Sequence, residues 1–226
     1  MERITEETAL KLLDLFVYRE DDGLRDEIRQ PYLKDGRICA TDTYSLIRIS
    51  RDYFPNETFQ QVKSYNIKWP AQKLPVKLPL SMISRAIEQL PMVDVCIEED
   101  ETAACPECDG SGEVEWEYED LSGETYYHTF ECPVCDGIGT VERTINKPTG
   151  EKERDKEYFV KIGDFYCIKS RNLLLLYEAM KLCGAEEVAI TGSTDYLISF
   201  NIAEGIDMLA VNNANIENRS YIEIVL

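Results

Sequence analysis

A single histidine, His128, serves the whole 226-residue chain. Nucleophilic catalysis by Ser or Cys usually enlists a histidine as its base, and this one sits in an aromatic segment with no evident partner. Neither a Gly-x-x-x-x-Gly-Lys-[Ser/Thr] loop nor a Gly-x-Gly-x-x-Gly fingerprint occurs, which removes the usual nucleotide sites. No apolar run approaches the roughly 18 residues of a membrane span; the clearest candidate is the short stretch Leu173 to Leu176. Glu2, Arg3, Glu6 and Glu7 stand where an export signal would be apolar. These absences lead us to expect a soluble, cytoplasmic chain that makes no membrane contact and is not an enzyme.

Positive charge is missing from a long stretch. Residues 92–142 contain no Lys or Arg and sixteen carboxylates, from Asp94 to Glu142, which account for most of the net charge of -19 and leave the remainder at only -3. Such a segment should repel phosphate, so DNA binding through it is disfavoured. Two readings stay open: a solvated face that promotes solubility, or a surface that binds a basic protein partner.

Within that acidic stretch lies a duplication. Cys105-x-x-Cys108-x-Gly110-x-Gly112 recurs as Cys132-x-x-Cys135-x-Gly137-x-Gly139. Zn²⁺ takes about four ligands in a tetrahedron, and each Cys-x-x-Cys turn delivers two thiolates to one side of the ion, so two turns complete the shell. The glycines suit a chain that folds tightly behind metal-bound sulfurs. A disulfide pair, a redox-active Cys-x-x-Cys and unmetallated core cysteines are the competing readings. A reducing compartment favours metal over disulfide, and a thioredoxin-like site would need one motif near a βαβ pattern. Binding would release the thiol protons and add a further net charge of about -2 to the segment.

Repeat and spacing together resemble the cysteine-rich zinc domain of the DnaJ chaperones, whose unit is Cys-x-x-Cys-x-Gly-x-Gly. The resemblance covers residues 105–139 and two of that family's four units. It implies one structural zinc held by Cys105, Cys108, Cys132 and Cys135, with no position left open for a reacting water. No His-Pro-Asp tripeptide is present, so the motif by which DnaJ proteins stimulate their chaperone is absent. The remaining cysteines, Cys39, Cys96, Cys167 and Cys183, lie singly in apolar runs and are expected to be buried free thiols.

Periodicity predicts helices over residues 5–18, 80–90 and 172–182, with Thr5 and Ser81 as caps and Gly184 as a stop. Strands are expected at 30–33, 37–41 and 45–50 as an antiparallel meander, then at 92–98, 140–146, 157–162, 165–169, 187–191, 196–201, 208–212 and 221–225. Four prolines make residues 51–79 an irregular connection, and residues 147–156 read as a charged linker. Inside the acidic stretch, Val114, Trp116 and Tyr118 alternate with glutamates, and Tyr126, His128 and Phe130 face back across a turn at 121–123. That is a hairpin with one apolar face. His128 is read as a cross-strand or surface residue, because four cysteines already fill a zinc shell.

The fold expected is therefore α+β: antiparallel sheets with helices on one face, and a zinc-stapled hairpin inserted at residues 100–139 into a body formed by residues 1–99 and 140–226. A helix followed by antiparallel strands recurs at 5–50, 80–99 and 172–212. This recurrence resembles the building unit of bacterial DNA sliding clamps of the β type, and Asp35-Gly36-Arg37-Ile38-Cys39-Ala40-Thr41-Asp42-Thr43-Tyr44-Ser45-Leu46 is similar to the clamp strand-turn-strand with its Ala-Thr-Asp signature. The resemblance implies a clamp-like body that works beside DNA replication or repair proteins and assembles into a homo-oligomer. A clamp chain has six such units against three here, and its tunnel helices are basic, whereas these helices offer mainly Lys11, Arg85, Arg171 and Lys181 among comparable acids.

One segment is a candidate for nucleic acid. Lys63, Lys68, Lys73 and Lys77 interleave with aromatics that include Trp69, the combination of charge and stacking used by strand-binding grooves. The plainer reading is a proline-rich connection with solvated lysines. Two functions follow. One is a non-catalytic zinc-binding scaffold with a clamp-like body, its acidic finger docking a protein partner and any DNA contact made by the body. The other is a DnaJ-like client-binding or adaptor module without a J domain.

Overall fold

A computed structural model of the chain describes residues 4–19, 26–62, 67–70, 72–213 and 219–226, with 72–74 as backbone only. It resolves into two compact units, one formed by residues 1–92 and 154–226, the other by residues 93–153.

Short, largely buried strands build the first unit. Helix α1 (Glu6–Leu15) leads into strands β1 (Tyr32–Lys34), β2 (Arg37–Thr41) and β3 (Ser45–Ser50), then β4 (Gln60–Gln61), β5 (Gln72–Pro79) and helix α2 (Leu80–Gln89). Strands β6 (Met92–Ala104), β7 (Glu113–Glu119), β8 (Thr125–Glu131) and β9 (Thr140–Arg154) belong almost wholly to the second unit. The first resumes with β10 (Phe159–Ile162), β11 (Tyr166–Lys169), helix α3 (Ser170–Cys183), β12 (Glu187–Ser193), β13 (Leu197–Ala203), β14 (Ile206–Val211) and β15 (Tyr221–Ile224). The class is mixed α+β, mostly sheet with three α-helices among the described residues.

Eight strands form the main sheet in the order β4-β1-β2-β3-β14-β13-β12-β5. Register places Ala40 opposite Ile47, Ile47 opposite Met208, Met208 opposite Phe200, and Phe200 opposite Ile190. This row belongs to one buried face, which shares its core with Leu12 and Leu13 of α1, Ile83 of α2 and Leu173 and Leu176 of α3. A second sheet, β11-β10-β15, adds Val160, Ile168 and Ile224 to the same core. Each fully buried aliphatic or Phe side chain contributes about 1.5–3 kcal/mol. Helix ends follow local chemistry. Thr8 N–H donates to Thr5 Oγ1 at 3.2 Å to cap α1, and Gly184 at φ 61° ends α3, with the Ala185 amide returning to the Met180 carbonyl.

Several expectations are corrected. Ser81 caps nothing: α2 starts at Leu80 behind Pro79, and the Leu80 amide donates to the Glu186 carbonyl. Part of the proline-rich 51–79 segment is strand β5, tolerated because β5 is the sheet's last strand, where proline's missing N–H can face outward. The pairs β1·β4 and β10·β15 are parallel, so the sheets are not wholly antiparallel. Of the three recurring units, two form the main sheet, α1 with β1-β2-β3 and α3 with β12-β13-β14, joined edge to edge through β3 and β14. The strand that follows α2 is β6, whose partner is β9, so among the described residues the expected third unit does not join the main sheet.

In the second unit β6 and β9 form one two-stranded ribbon and β7 and β8 another. The segment read as a linker at 147–156 is largely strand. Lys147 pairs with Glu99 at 2.8 Å, Lys152 lies 3.7 Å from Asp94, and the Thr149 hydroxyl donates to the Val95 carbonyl. A ribbon exposes both faces, which explains a further correction: Cys96, on β6, is exposed, whereas Cys39, Cys167 and Cys183 are buried as expected. Among the described residues, no helix is long and apolar enough to cross a membrane.

Candidate metal centre

Each of the four strands of the second unit has one end at a cysteine motif. Strand β6 stops at Ala104 before Cys105, β7 starts after Gly112, β8 stops before Cys132, and β9 starts after Gly139. Each Cys-x-x-Cys-x-Gly-x-Gly run is therefore a knuckle between one strand of each ribbon.

The two knuckles are copies at the level of single hydrogen bonds. Gly110 N–H donates to the Cys105 carbonyl at 3.2 Å and Gly137 N–H to the Cys132 carbonyl at 3.2 Å. Gly112 N–H points at Cys108 Sγ at 3.3 Å and Gly139 N–H at Cys135 Sγ at 3.2 Å. They also exchange bonds: Cys105 N–H donates to the Gly139 carbonyl and Cys132 N–H to the Gly112 carbonyl, both at 2.8 Å. This close approach explains two glycines. Gly112 and Gly139 have φ +79° and +82°, and a Cβ on either would collide with a carbonyl oxygen of the other knuckle, that of Gly137 or of Gly110.

All four sulfurs are buried and lie within 4.8 Å of one another, a group that could hold a metal ion. Cys105 Sγ is 3.8 Å from Cys132 Sγ, and Cys108 Sγ is 3.8 Å from Cys135 Sγ. A disulfide would need about 2.05 Å. A regular tetrahedron with metal–sulfur bonds of about 2.3 Å has edges of about 3.8 Å. The donor set thus fits a tetrahedral thiophilic ion, with amide N–H groups placed to stabilise the thiolates. Burial pushes the free thiols of Cys108 and Cys135 up. At Cys108 the Gly112 amide and the neighbouring thiols outweigh it and bring the group down to about 7. Cys135 is pushed up to about 11 by burial and by the other three sulfurs.

Val114 and Val141 pack against the cysteines. His128 is apart from them: it stands opposite Trp116 on the hairpin and stacks on Phe130 at 4.5 Å. The turn is built on Asp120, whose Oδ1 accepts from the amides of Ser122 and Glu124 at 2.8 and 3.0 Å.

The candidate nucleic-acid residues belong to the first unit. Lys63 lies outside the described residues, Lys68 is exposed, and Lys73 lies on the backbone of β5. Lys77 pairs with Glu187. The Trp69 ring is covered by the Arg48 guanidinium, 3.5 Å from its centroid. Both line an open cavity of ≈ 220 Å³ with Tyr32 and Arg37. Sequence reasoning missed the hub beneath them. Asp207 Oδ2 accepts from Arg48 Nε at 3.0 Å and Arg37 Nη1 at 3.1 Å, and its Oδ1 accepts from Asn201 Nδ2 at 2.9 Å. Two distant hairpins, β2-β3 and β13-β14, meet there, and no local pattern announces it. The Ala-Thr-Asp signature is a turn device: Asp42 Oδ1 accepts from the amides of Tyr44 and Ser45 at 3.0 and 2.7 Å.

No protein-family model matches the chain, and no curated protein does. Among solved structures it is similar to DNA polymerase III subunit beta from Borrelia burgdorferi, with 8% identity over 92% of this chain and 61% of that one, at TM-score 0.41. It is also similar to the DNA polymerase III beta chain of Streptococcus pneumoniae TIGR4, with 11% identity over 95% of this chain and 65% of that one, at TM-score 0.45. The DNA polymerase sliding clamp of Caulobacter crescentus gives 11% identity, 95% and 66% coverage and TM-score 0.41. The chain spans less than two thirds of the length of these structures.

Proposed function

We propose that this protein is a non-catalytic, zinc-binding scaffold that holds out an acidic hairpin as a docking arm for a protein partner. The observation that carries the reading is the set of four buried sulfurs at the junction of two ribbons, all within 4.8 Å of one another and with the pairs Cys105–Cys132 and Cys108–Cys135 each 3.8 Å apart. Cys105, Cys108, Cys132 and Cys135 would hold one Zn²⁺. When bound, the ion supplies cross-linking between ribbons that bury too little surface to be stable alone. Four thiolates fill its shell, so its role is structural.

The arm is acidic by what surrounds it as well as by sequence. The second unit contains three cations, Arg143, Lys147 and Lys152, and each pairs with a carboxylate of β6, namely Glu101, Glu99 and Asp94. Among the described residues, Glu113, Glu115, Glu117 and Glu119 on β7 keep their charge uncompensated, which suits a basic partner and opposes phosphate.

In this reading the first unit is a clamp-like body that works beside DNA replication or repair proteins and assembles with further copies. The strand-turn-strand of residues 35–46, folded as β2 and β3 around Asp42, supports it. Any nucleic-acid contact is assigned to the body through Lys63, Lys68, Trp69, Lys73 and Lys77, and not to the arm.

The deciding experiment measures metal in protein purified under reducing, chelator-free conditions, together with oligomeric state with and without DNA. About one zinc per chain is expected, and a metal-free protein would falsify the site. Partner capture by the intact chain, compared with a chain lacking residues 100–142, then assigns docking to the arm or the body.

A further inference from the structure

The hairpin formed by β7 and β8 presents one face made almost wholly of rings. Cross-strand pairing sets Trp116 opposite His128, Tyr118 opposite Tyr126 and Val114 opposite Phe130, all on the same side because side chains two apart share a face. The rings touch: Trp116 meets Phe130 edge-on at 5.8 Å, and Phe130 stacks on His128. Yet nothing in the second unit covers them. Trp116 remains 60% exposed and Tyr118 66% exposed. Contiguous exposed apolar surface of this kind marks an interaction site.

Cations distinguish this face from the rest of the protein. In the first unit the rings of Trp69, Tyr44 and Phe159 each lie under a guanidinium, of Arg48, Arg171 and Arg219 respectively. Lys181 and Lys161 likewise approach Tyr177 and Tyr221. The hairpin rings have no such neighbour among the described residues, since the unit's three cations are all committed to β6. At the tip, the Tyr126 hydroxyl has two carboxylate acceptors for its one proton, Glu124 Oε2 at 3.1 Å and Asp120 Oδ2 at 3.3 Å, so two carboxylates border the ring surface.

Resting on the docking-arm reading, we infer that the aromatic face of the hairpin, centred on Trp116, Tyr118 and Tyr126, binds an extended Arg- or Lys-rich segment of a partner protein. Charge complementarity selects this occupant. A second copy would oppose the same acids, and a nucleic acid or anionic lipid surface would oppose them with phosphate. The spacing agrees. Trp116 and Tyr118 are two residues apart on one strand, about 7 Å, and cations at alternate positions of an extended segment repeat at the same distance. Each ring then receives a cation on its face, while Asp120 and Glu124 hold the end of the segment by charge.

The test uses the full, metal-loaded chain and a short fluorescent peptide of alternating Arg and Ser, read by anisotropy at about 0.5 M salt, where long-range attraction is screened. Binding is expected, with a loss of roughly tenfold or more for the W116A/Y118A double variant. Y127A, on the opposite face of the hairpin, should stay within about twofold. Equal binding by the double variant, or an equal loss in Y127A, overturns the inference, as does single-stranded DNA or self-association that depends on Trp116 and Tyr118. Metal is measured on the same samples. A chain that holds metal but ignores the peptide overturns this inference alone, and one that holds no metal overturns the reading beneath it.

Discussion

Cys108 and Cys135 place their sulfurs 3.8 Å apart although they are 27 residues apart in sequence, and each also has an amide from its own knuckle on its sulfur. The two Cys-x-x-Cys turns therefore meet each other across the duplication, which is the arrangement one shared ion requires.

Breaking that meeting should release the metal. Replacement of Cys108 or Cys135 by Ser is expected to lower zinc content from about one per chain to near zero and to make the hairpin cleavable by protease, while the core of the first unit keeps its cooperative melting. G112A and G139A should weaken metal retention against a competing chelator, because each new methyl collides with the opposite knuckle. G123A, at a turn with open space around it, should carry only the strain of φ +86°, about 1 kcal/mol. Metal analysis and chelator competition check the series; equal retention in G112A and G123A would contradict the packing argument.

The buried thiols of the first unit predict how stability responds to base. Burial pushes Cys39, Cys167 and Cys183 up from 9.0 to about 11. Between those values the unfolded chain has lost protons that the folded chain keeps. Their contribution is therefore fully present below about pH 9 and declines as pH rises towards 11. Melting at about pH 8 and about pH 10 should show the fall, reduced in a variant with Cys39, Cys167 and Cys183 replaced by Ala. In the folded, metal-loaded protein at pH 8, Cys96 should be the thiol that reagent reaches first, because it alone of the four is exposed.

Asp207 ties β14 to β2 and β3 through Arg37 and Arg48 while only 14% exposed. D207A should destabilise the first unit by about 1–3 kcal/mol, since it leaves two guanidiniums without their acceptor. Urea unfolding gives the size, and a cycle with R48A should show the two losses to be less than additive.

Neutralising Lys63, Lys68, Lys73 and Lys77 together to Gln tests nucleic-acid contact by the body. If single strands are bound there, the slope of log affinity against log salt should fall by up to about 3. An unchanged slope would leave these lysines as solvated charge and Trp69 as the ring that Arg48 covers.

The knuckles and the hairpin were readable because their signals are local. Ligand spacing, glycine offsets and strict alternation from Glu113 to Glu119 each concern residues a few positions apart. Strand β5 and the far half of β9 were hidden for the opposite reason: their prolines argue against strand locally, and only their places at an edge or in a ribbon make strand permissible. Cys96 misled because its apolar neighbours suggest a core that β6, paired only with β9, does not enter.

Sequence alone determined what the sulfurs, acids and rings are and how they are spaced along the chain. Tertiary structure decided which of them meet. It brought Cys105 to Cys132, set Arg48 on Trp69, and left Trp116 and Tyr118 bare. Long-range pairing of strands governs those outcomes, and the distance between two side chains across a sheet is a property of register, which no local pattern contains.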